Sequence, residues 1–166
     1  MIAQPASAAT PHDTGSPSPF SMVNGVNEGV NAVVFVGYHA RNGTANAILD
    51  HTWSSNRVMN LYINGRISGE TGLNGSLCGH FNVPVILVTG DQAVAAEAGE
   101  WLPGVETAIT KTAHGRWSAE VLPLEVAPPT ALCVVPRSDA PPVAARLPPV
   151  SRVSVAEVPP SSSVPP

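Results

Sequence analysis

Proline and glycine are segregated along this chain, and that segregation limits what it can fold into. Of its 18 prolines, 11 lie from Pro128 onward, whereas all 14 glycines lie at or before Gly115. Beyond Ala127 the sequence reads PPTALCVVPRSDAPPVAARLPPVSRVSVAEVPPSSSVPP. Each proline there removes an amide donor and fixes φ, which interrupts helices and strands alike. Residues 128–166 are therefore expected to form a Pro-rich disordered tail, partly polyproline II. Residues 1–18, rich in Ser, Ala, Thr and Pro without apolar periodicity, are expected to be a disordered leader. The segment 19–127 is left to build a core, and the 43% hydrophobic content suits a globular protein.

Charge excludes some functions. The formal net charge is -4 and no basic residues cluster, so no nucleic acid partner is expected, because phosphate binding needs grouped Lys and Arg. The longest apolar run, near Val33 to Val36, is far short of the roughly 20 residues that span a bilayer, and no membrane partner is expected. Residues 1–18 lack the basic start and apolar stretch of a secretory leader, which makes a cytoplasmic location the expectation. Cys78 and Cys133 stand on opposite sides of the compositional boundary, outside any CxxC motif, and are not expected to pair.

Local patterning points to an α/β fold. NAVVFVGY, from Asn31, is β-branched, aromatic and apolar on both faces, as in a strand buried between layers. His39 follows its C-terminal end, the edge at which open α/β sheets bind ligands. In MNLYINGRISGE, Asn64-Gly65 separates two short alternating runs and predicts a β-hairpin with a type I′ turn. Glu70 then opens a segment in which Leu73, Leu77 and Phe81 recur every fourth residue, a helical stripe expected to be buried. Gly72, Gly75 and Gly79 weaken that helix, so their expected use is close packing against another backbone.

Further on, VPVILVTG reads as a buried strand, Asp91 as the cap of a helix DQAVAAEAGEWL that ends at Leu102-Pro103-Gly104, and VETAITKT as a strand parallel to the first. HGRWSAEVL adds another strand. The expected architecture is a mixed or mostly parallel sheet flanked by helices, with a β-hairpin. The glycines at 69, 72, 75 and 79 do not fit G-x-G-x-x-G, so a dinucleotide site is not supported.

His39, His51 and Glu70 are polar residues at places where a buried-strand protein would not ordinarily put them. By spacing alone, the two histidines read as hydrogen-bonded structural residues and Glu70 as a carboxylate at a helix N-terminus. The wider pattern changes that reading. PFSMVNGV, FVGYHAR, LDHTW, LYINGRISGETGLNG and VPVILVTGDQAVAAEA follow one another, and together they resemble the DppA-type, zinc-dependent D-aminopeptidases over roughly two-thirds of the chain. The resemblance implies that His39 and Glu70 are zinc ligands and that His51 is the catalytic histidine. Asn74 would donate a hydrogen bond to substrate or oxyanion, or else pack the helix. Asp50, beside His51, is a weaker candidate for orienting the imidazole. His12, His80 and His114 have no ligand-spaced partners.

Zinc suits these donors, since imidazole and carboxylate are its usual hydrolytic ligands. The implied activity is metal-dependent, aminopeptidase-type hydrolysis of short peptides, with D-amino acids at the N-terminus among them, by a homo-oligomer if the domain is complete. The family pattern also has an S-x-D-x-E-G strand and a further histidine ahead of the matched part, and this sequence contains no Asp-x-Glu. A truncated or frame-disrupted, impaired member is the expectation, and a non-catalytic α/β binding or oligomerisation domain is the competing one.

Overall fold

The computed structural model describes residues 19–123 and 150–158. Two sheets form. The larger has the order β1-β4-β5-β6, built from β1 (Val33–Tyr38), β4 (Val85–Asp91), β5 (Glu106–Gly115) and β6 (Ser118–Val121). β1 pairs with β4 and β4 with β5 in parallel, while β5 and β6 are antiparallel. The smaller sheet has the order β3-β2-β7, in which β2 (Val58–Ile63) and β3 (Arg66–Ser68) make the expected hairpin and β7 is Val153–Glu157. Asn64 and Gly65 both adopt positive φ, 52° and 81°, as a type I′ turn requires.

The βαβ unit is the frame of the site. α2 (Gln92–Trp101) crosses from β4 to β5, and Asp91 caps it, accepting from the amides of Ala93 at 3.0 Å and Val94 at 2.9 Å. The core joins the larger sheet to the helices, with Phe35, Tyr38, Val85 and Val88 in one buried cluster with Val94, Ala98, Trp101 and Leu102. β1 corrects one expectation. Val34 and Val36 are exposed, because only the other face of β1, with Phe35 and Tyr38, joins the core.

α1 (Glu70–His80) corrects another. Leu73, Leu77 and Phe81 pack against the core but stay partly exposed, whereas Thr71, Gly72, Asn74, Gly75 and Cys78 are buried. The glycines explain the rotation of the helix. A Cβ on Gly72 would lie 2.5 Å from the Trp101 ring, and one on Gly75 would lie 2.5 Å from Leu102. The small face therefore takes the close approach and the larger side chains move to its flanks. Burial also pushes the Cys78 thiol up to about 11, which keeps it protonated and unreactive at neutral pH.

The proline-rich tail is corrected at one place. Between Pro148-Pro149 and Pro159-Pro160 the sequence is free of proline, and the alternating VSVAE within that stretch pairs antiparallel with β2. Asn64 secures that strand, its Oδ1 accepting from the amides of Ser151 and Arg152 at 2.8 and 3.0 Å. The rest of the tail, Cys133 and the 1–18 leader lie outside the described residues. No helix among those residues is long and apolar enough to cross a membrane.

Glycine also sets the distance between β1 and β4. A Cβ at Gly90 would strike the carbonyl oxygen of Tyr38 and come within 2.5 Å of Val94 Cγ1. Backbone cannot step aside as a flexible side chain can, so Gly90→Ala is expected to destabilise the fold by about 3 kcal/mol. Gly99→Ala, in α2 with no atom within 4 Å of the added carbon, is expected to stabilise it by roughly 0.5–1 kcal/mol. Urea denaturation of the two variants checks the contrast.

Candidate metal centre

His39 follows the C-terminal end of β1, His51 lies in the loop between β1 and β2, and Glu70 is the first residue of α1. Three long-range contacts fold the histidine loop back on itself. The His51 amide donates to the Ala40 carbonyl at 3.2 Å, the Asn42 amide to Thr52 Oγ1 at 3.3 Å, and the Gly43 amide to Asp50 Oδ2 at 2.7 Å. The imidazoles thereby stack, with ring centroids 3.7 Å apart and planes 17° from parallel. His39, His51 and Glu70 each present one ligand-capable atom within 4.8 Å of the others.

Hydrogen bonds set which atoms are presented. His39 Nδ1 lies 3.1 Å from the Ala40 carbonyl and His51 Nδ1 lies 2.6 Å from the Leu49 carbonyl. A carbonyl oxygen only accepts, so each neutral ring donates from Nδ1 and keeps its lone pair on Nε2. Such a carbonyl behind the ring is the usual partner of a metal-binding histidine. Glu70 is buried. Its Oε1 accepts from the Trp53 amide at 2.8 Å, and its Oε2 lies 3.8 Å from His39 Nε2.

The loop that carries His51 is unusual. Leu49 and Trp53 have φ of 51° and 56°, a region that bulky residues rarely adopt and that costs of order 1–3 kcal/mol each. Both side chains are exposed. The surrounding contacts hold this conformation: Arg116 reaches Asp50 Oδ1 at 2.9 Å and Ser55 Oγ at 3.0 Å, and the Leu49 amide donates to the Arg116 carbonyl at 2.8 Å.

Asp50 is thus occupied by Gly43 and Arg116 and does not orient the His51 imidazole, whose Nδ1 partner is Leu49. Asn74 is buried, its amide nitrogen donating to the Tyr38 hydroxyl at 2.9 Å; of the two readings open for it, this contact is the packing one. Burial pushes the Tyr38 phenol well above its usual range, so the hydroxyl keeps its proton. His80 packs edge-on against Phe81, and His114 lies 3.8 Å from an exposed Glu120 carboxylate. His12 lies outside the described residues. The sequence reading missed the Ala40 and Leu49 carbonyls behind the histidines and the Trp53 amide on Glu70, since backbone groups leave no mark in residue identity.

Comparison with known proteins identifies the family. The family model described as D-aminopeptidase matches residues 11–131. The D-aminopeptidase of Bacillus subtilis (strain 168) is 39% identical over 109 residues, covering 66% of this chain and 39% of that protein. A solved structure, titled Zn-dependent D-aminopeptidase DppA from Bacillus subtilis, a self-compartmentalizing protease, superimposes with a TM-score of 0.62 at 40% identity, over 65% of this chain and 39% of that one. The chain thus spans about two-fifths of the length of the relative it matches.

Proposed function

This chain belongs to the D-aminopeptidase family, and from that membership we propose that it carries part of a zinc site for hydrolysing short peptides, those with N-terminal D-amino acids included. The observation that supports this most is the shared arrangement of the histidines. Both rings are backed by a carbonyl at Nδ1, so both keep an Nε2 lone pair, beside a buried carboxylate that has one oxygen held by an amide.

Imidazole and carboxylate donors of this kind fit zinc. His39 Nε2 and Glu70 Oε2 would hold the ion. Zinc, when bound, supplies the Lewis acidity that polarises a peptide carbonyl and acidifies water. His51 takes a proton at Nε2 from the attacking water and returns it to the leaving amine nitrogen. The Leu49 carbonyl at Nδ1 stabilises the imidazolium formed between those transfers, because a protonated ring donates to it more strongly. Asn74 contributes indirectly, holding the Tyr38 hydroxyl in the core just before His39.

The relative is described as self-compartmentalizing, and we extend homo-oligomerisation to this chain. The edge of β1, unpaired among the described residues, and its exposed Val34 and Val36 support a contact surface. Incubation of purified protein with zinc and a D-alanyl anilide tests the hydrolytic reading. Zinc-dependent release of the amine, stopped by a chelator, is expected. Intact substrate from a protein that binds no zinc would leave the non-catalytic scaffold as the correct description.

A further inference from the structure

The loop that carries His51 is gripped from outside by one residue. β5 and β6 join through the two-residue turn Arg116-Trp117, closed by the pairing of Gly115 with Ser118. From that turn the Arg116 guanidinium reaches the loop, Nη1 donating to Asp50 Oδ1 at 2.9 Å and Nη2 to Ser55 Oγ at 3.0 Å. Asp50 immediately precedes His51 and Ser55 lies four residues after it, so the two contacts bracket the histidine. The Arg116 carbonyl adds a third contact, accepting from the Leu49 amide at 2.8 Å. The guanidinium in turn lies over the Trp117 ring, 5.3 Å from its centre, which gives that exposed indole a use.

The contacts maintain the carbonyl behind His51. Leu49 presents its carbonyl 2.6 Å from His51 Nδ1 with a φ of 51°, and Trp53 on the other side of the histidine has a φ of 56°. Bulky residues persist in that region only where the surroundings over-determine them. A loop needed merely to connect β1 to β2 would place glycine or asparagine at such positions and would bury no ion pair. Asp50 is buried, with its second oxygen taken by the Gly43 amide at 2.7 Å. Without the guanidinium its charge would be left unpaired and would turn towards water, carrying Leu49 and His51 with it.

We infer that Arg116 is a positioning residue for His51: its guanidinium, through Asp50 and Ser55, fixes the loop so that the Leu49 carbonyl stays on Nδ1 and the Nε2 lone pair stays free to take a proton. Asp50 transmits the constraint through the backbone, since its own oxygens are occupied by Gly43 and Arg116. The catalytic consequence rests on the hydrolytic reading above, whereas the effect on the His51 tautomer does not.

The test compares the parent chain with Arg116→Ala, Arg116→Lys and Val83→Ala. Either substitution at position 116 leaves the backbone carbonyl on the Leu49 amide, so it reports on the guanidinium. Lysine keeps a charge for Asp50 but lacks the planar fork that spans Asp50 and Ser55. Val83→Ala truncates a buried side chain ahead of β4, at the end of that strand away from the site, and controls for lost stability. Two readouts are taken: the 15N imidazole shifts of His51 in metal-free protein, which identify the protonated nitrogen of the neutral ring, and kcat and KM on a D-alanyl anilide at saturating zinc. The parent is expected to carry its proton on Nδ1. R116A is expected to mix the two tautomers and to lower kcat by about 100-fold, the scale on which a small misplacement of a catalytic group acts, with KM near the parental value. R116K is expected to restore part of both. V83A is expected to melt earlier and to keep the parental tautomer and kcat.

A parental His51 tautomer in R116A would overturn the inference, and so would the same change of tautomer in V83A. With an active parent, an R116A kcat equal to the parent's would overturn it as well. If the parent hydrolyses nothing, the hydrolytic reading fails and the tautomer alone decides for Arg116: mixed in R116A only, it upholds the inference. Should R116A not fold, R116K is read in its place.

Discussion

Replacement of Glu70 by alanine is expected to abolish zinc binding, a loss larger than the roughly 10–100-fold that removing an outer support causes. Glu70 is the carboxylate of the cluster, and without it His39 alone would leave a divalent cation with one protein donor and no counter-charge. The substitution also strands the Trp53 amide, which donates to Glu70 Oε1 at 2.8 Å. That lost bond should lower folding stability by about 1–3 kcal/mol. Glu70→Gln separates the two effects. A glutamine can still accept from Trp53, so stability should largely return while zinc affinity does not. Competition against a fluorescent zinc chelator, with denaturation run in parallel, reads both. Parental affinity in the alanine variant would remove Glu70 from the site.

The largest loss of stability is expected from Asp91→Ala, at about 2–5 kcal/mol, the sum of a lost cap and a lost charged hydrogen bond. Asp91 is fully buried. Its Oδ1 accepts from the Ala93 and Val94 amides and its Oδ2 from the Ile48 amide at 2.8 Å. The cap accounts for about 0.5–2 kcal/mol, and the hydrogen bond between a charged carboxylate and the Ile48 amide for about 1.5–3 kcal/mol. Ile48 lies three residues before His51, so D91A should also loosen the histidine loop. Faster amide exchange at Ile48 than at α2 residues beyond the first turn would show it. Asp91→Asn tests the assignment from the other side, because it retains an accepting oxygen for the cap and should recover part of the loss.

Short-range signals were the most legible in the sequence. The Asn64-Gly65 turn, the Asp91 cap and the β4-α2-β5 crossover each depend on residues within one element or its immediate neighbour, and the fold has all three. Long-range pairing was not legible. Nothing in VSVAE announces that β2 is its partner, since the hydrogen bonds of a strand come from backbone common to every residue but proline. The face that α1 buries was also misjudged, because periodicity finds where large apolar residues recur and not where small ones permit close approach. For β1, an apolar pattern on both faces could not reveal that only one of them joins the core.

The site divides in the same way. The motifs around His39, His51 and Glu70 pointed to these three together, and the fold brings their ligand-capable atoms within 4.8 Å of one another. Their supports were not legible: the Ala40 and Leu49 carbonyls are backbone, and Arg116 is 66 residues from Asp50. Residue identity points to the groups that do chemistry, but only the folded chain shows which atoms hold them in place.

The central claim is that the folded chain gathers His39, His51 and Glu70 into a zinc-binding centre. Zinc content after dialysis against a weak chelator tests it most directly, measured by elemental analysis on the parent chain and on Glu70→Ala. Stoichiometry approaching about one zinc per chain in the parent, and none in the variant, is the predicted result. A folded parent chain that retains no zinc, or a Glu70→Ala chain that retains as much as the parent, would contradict it.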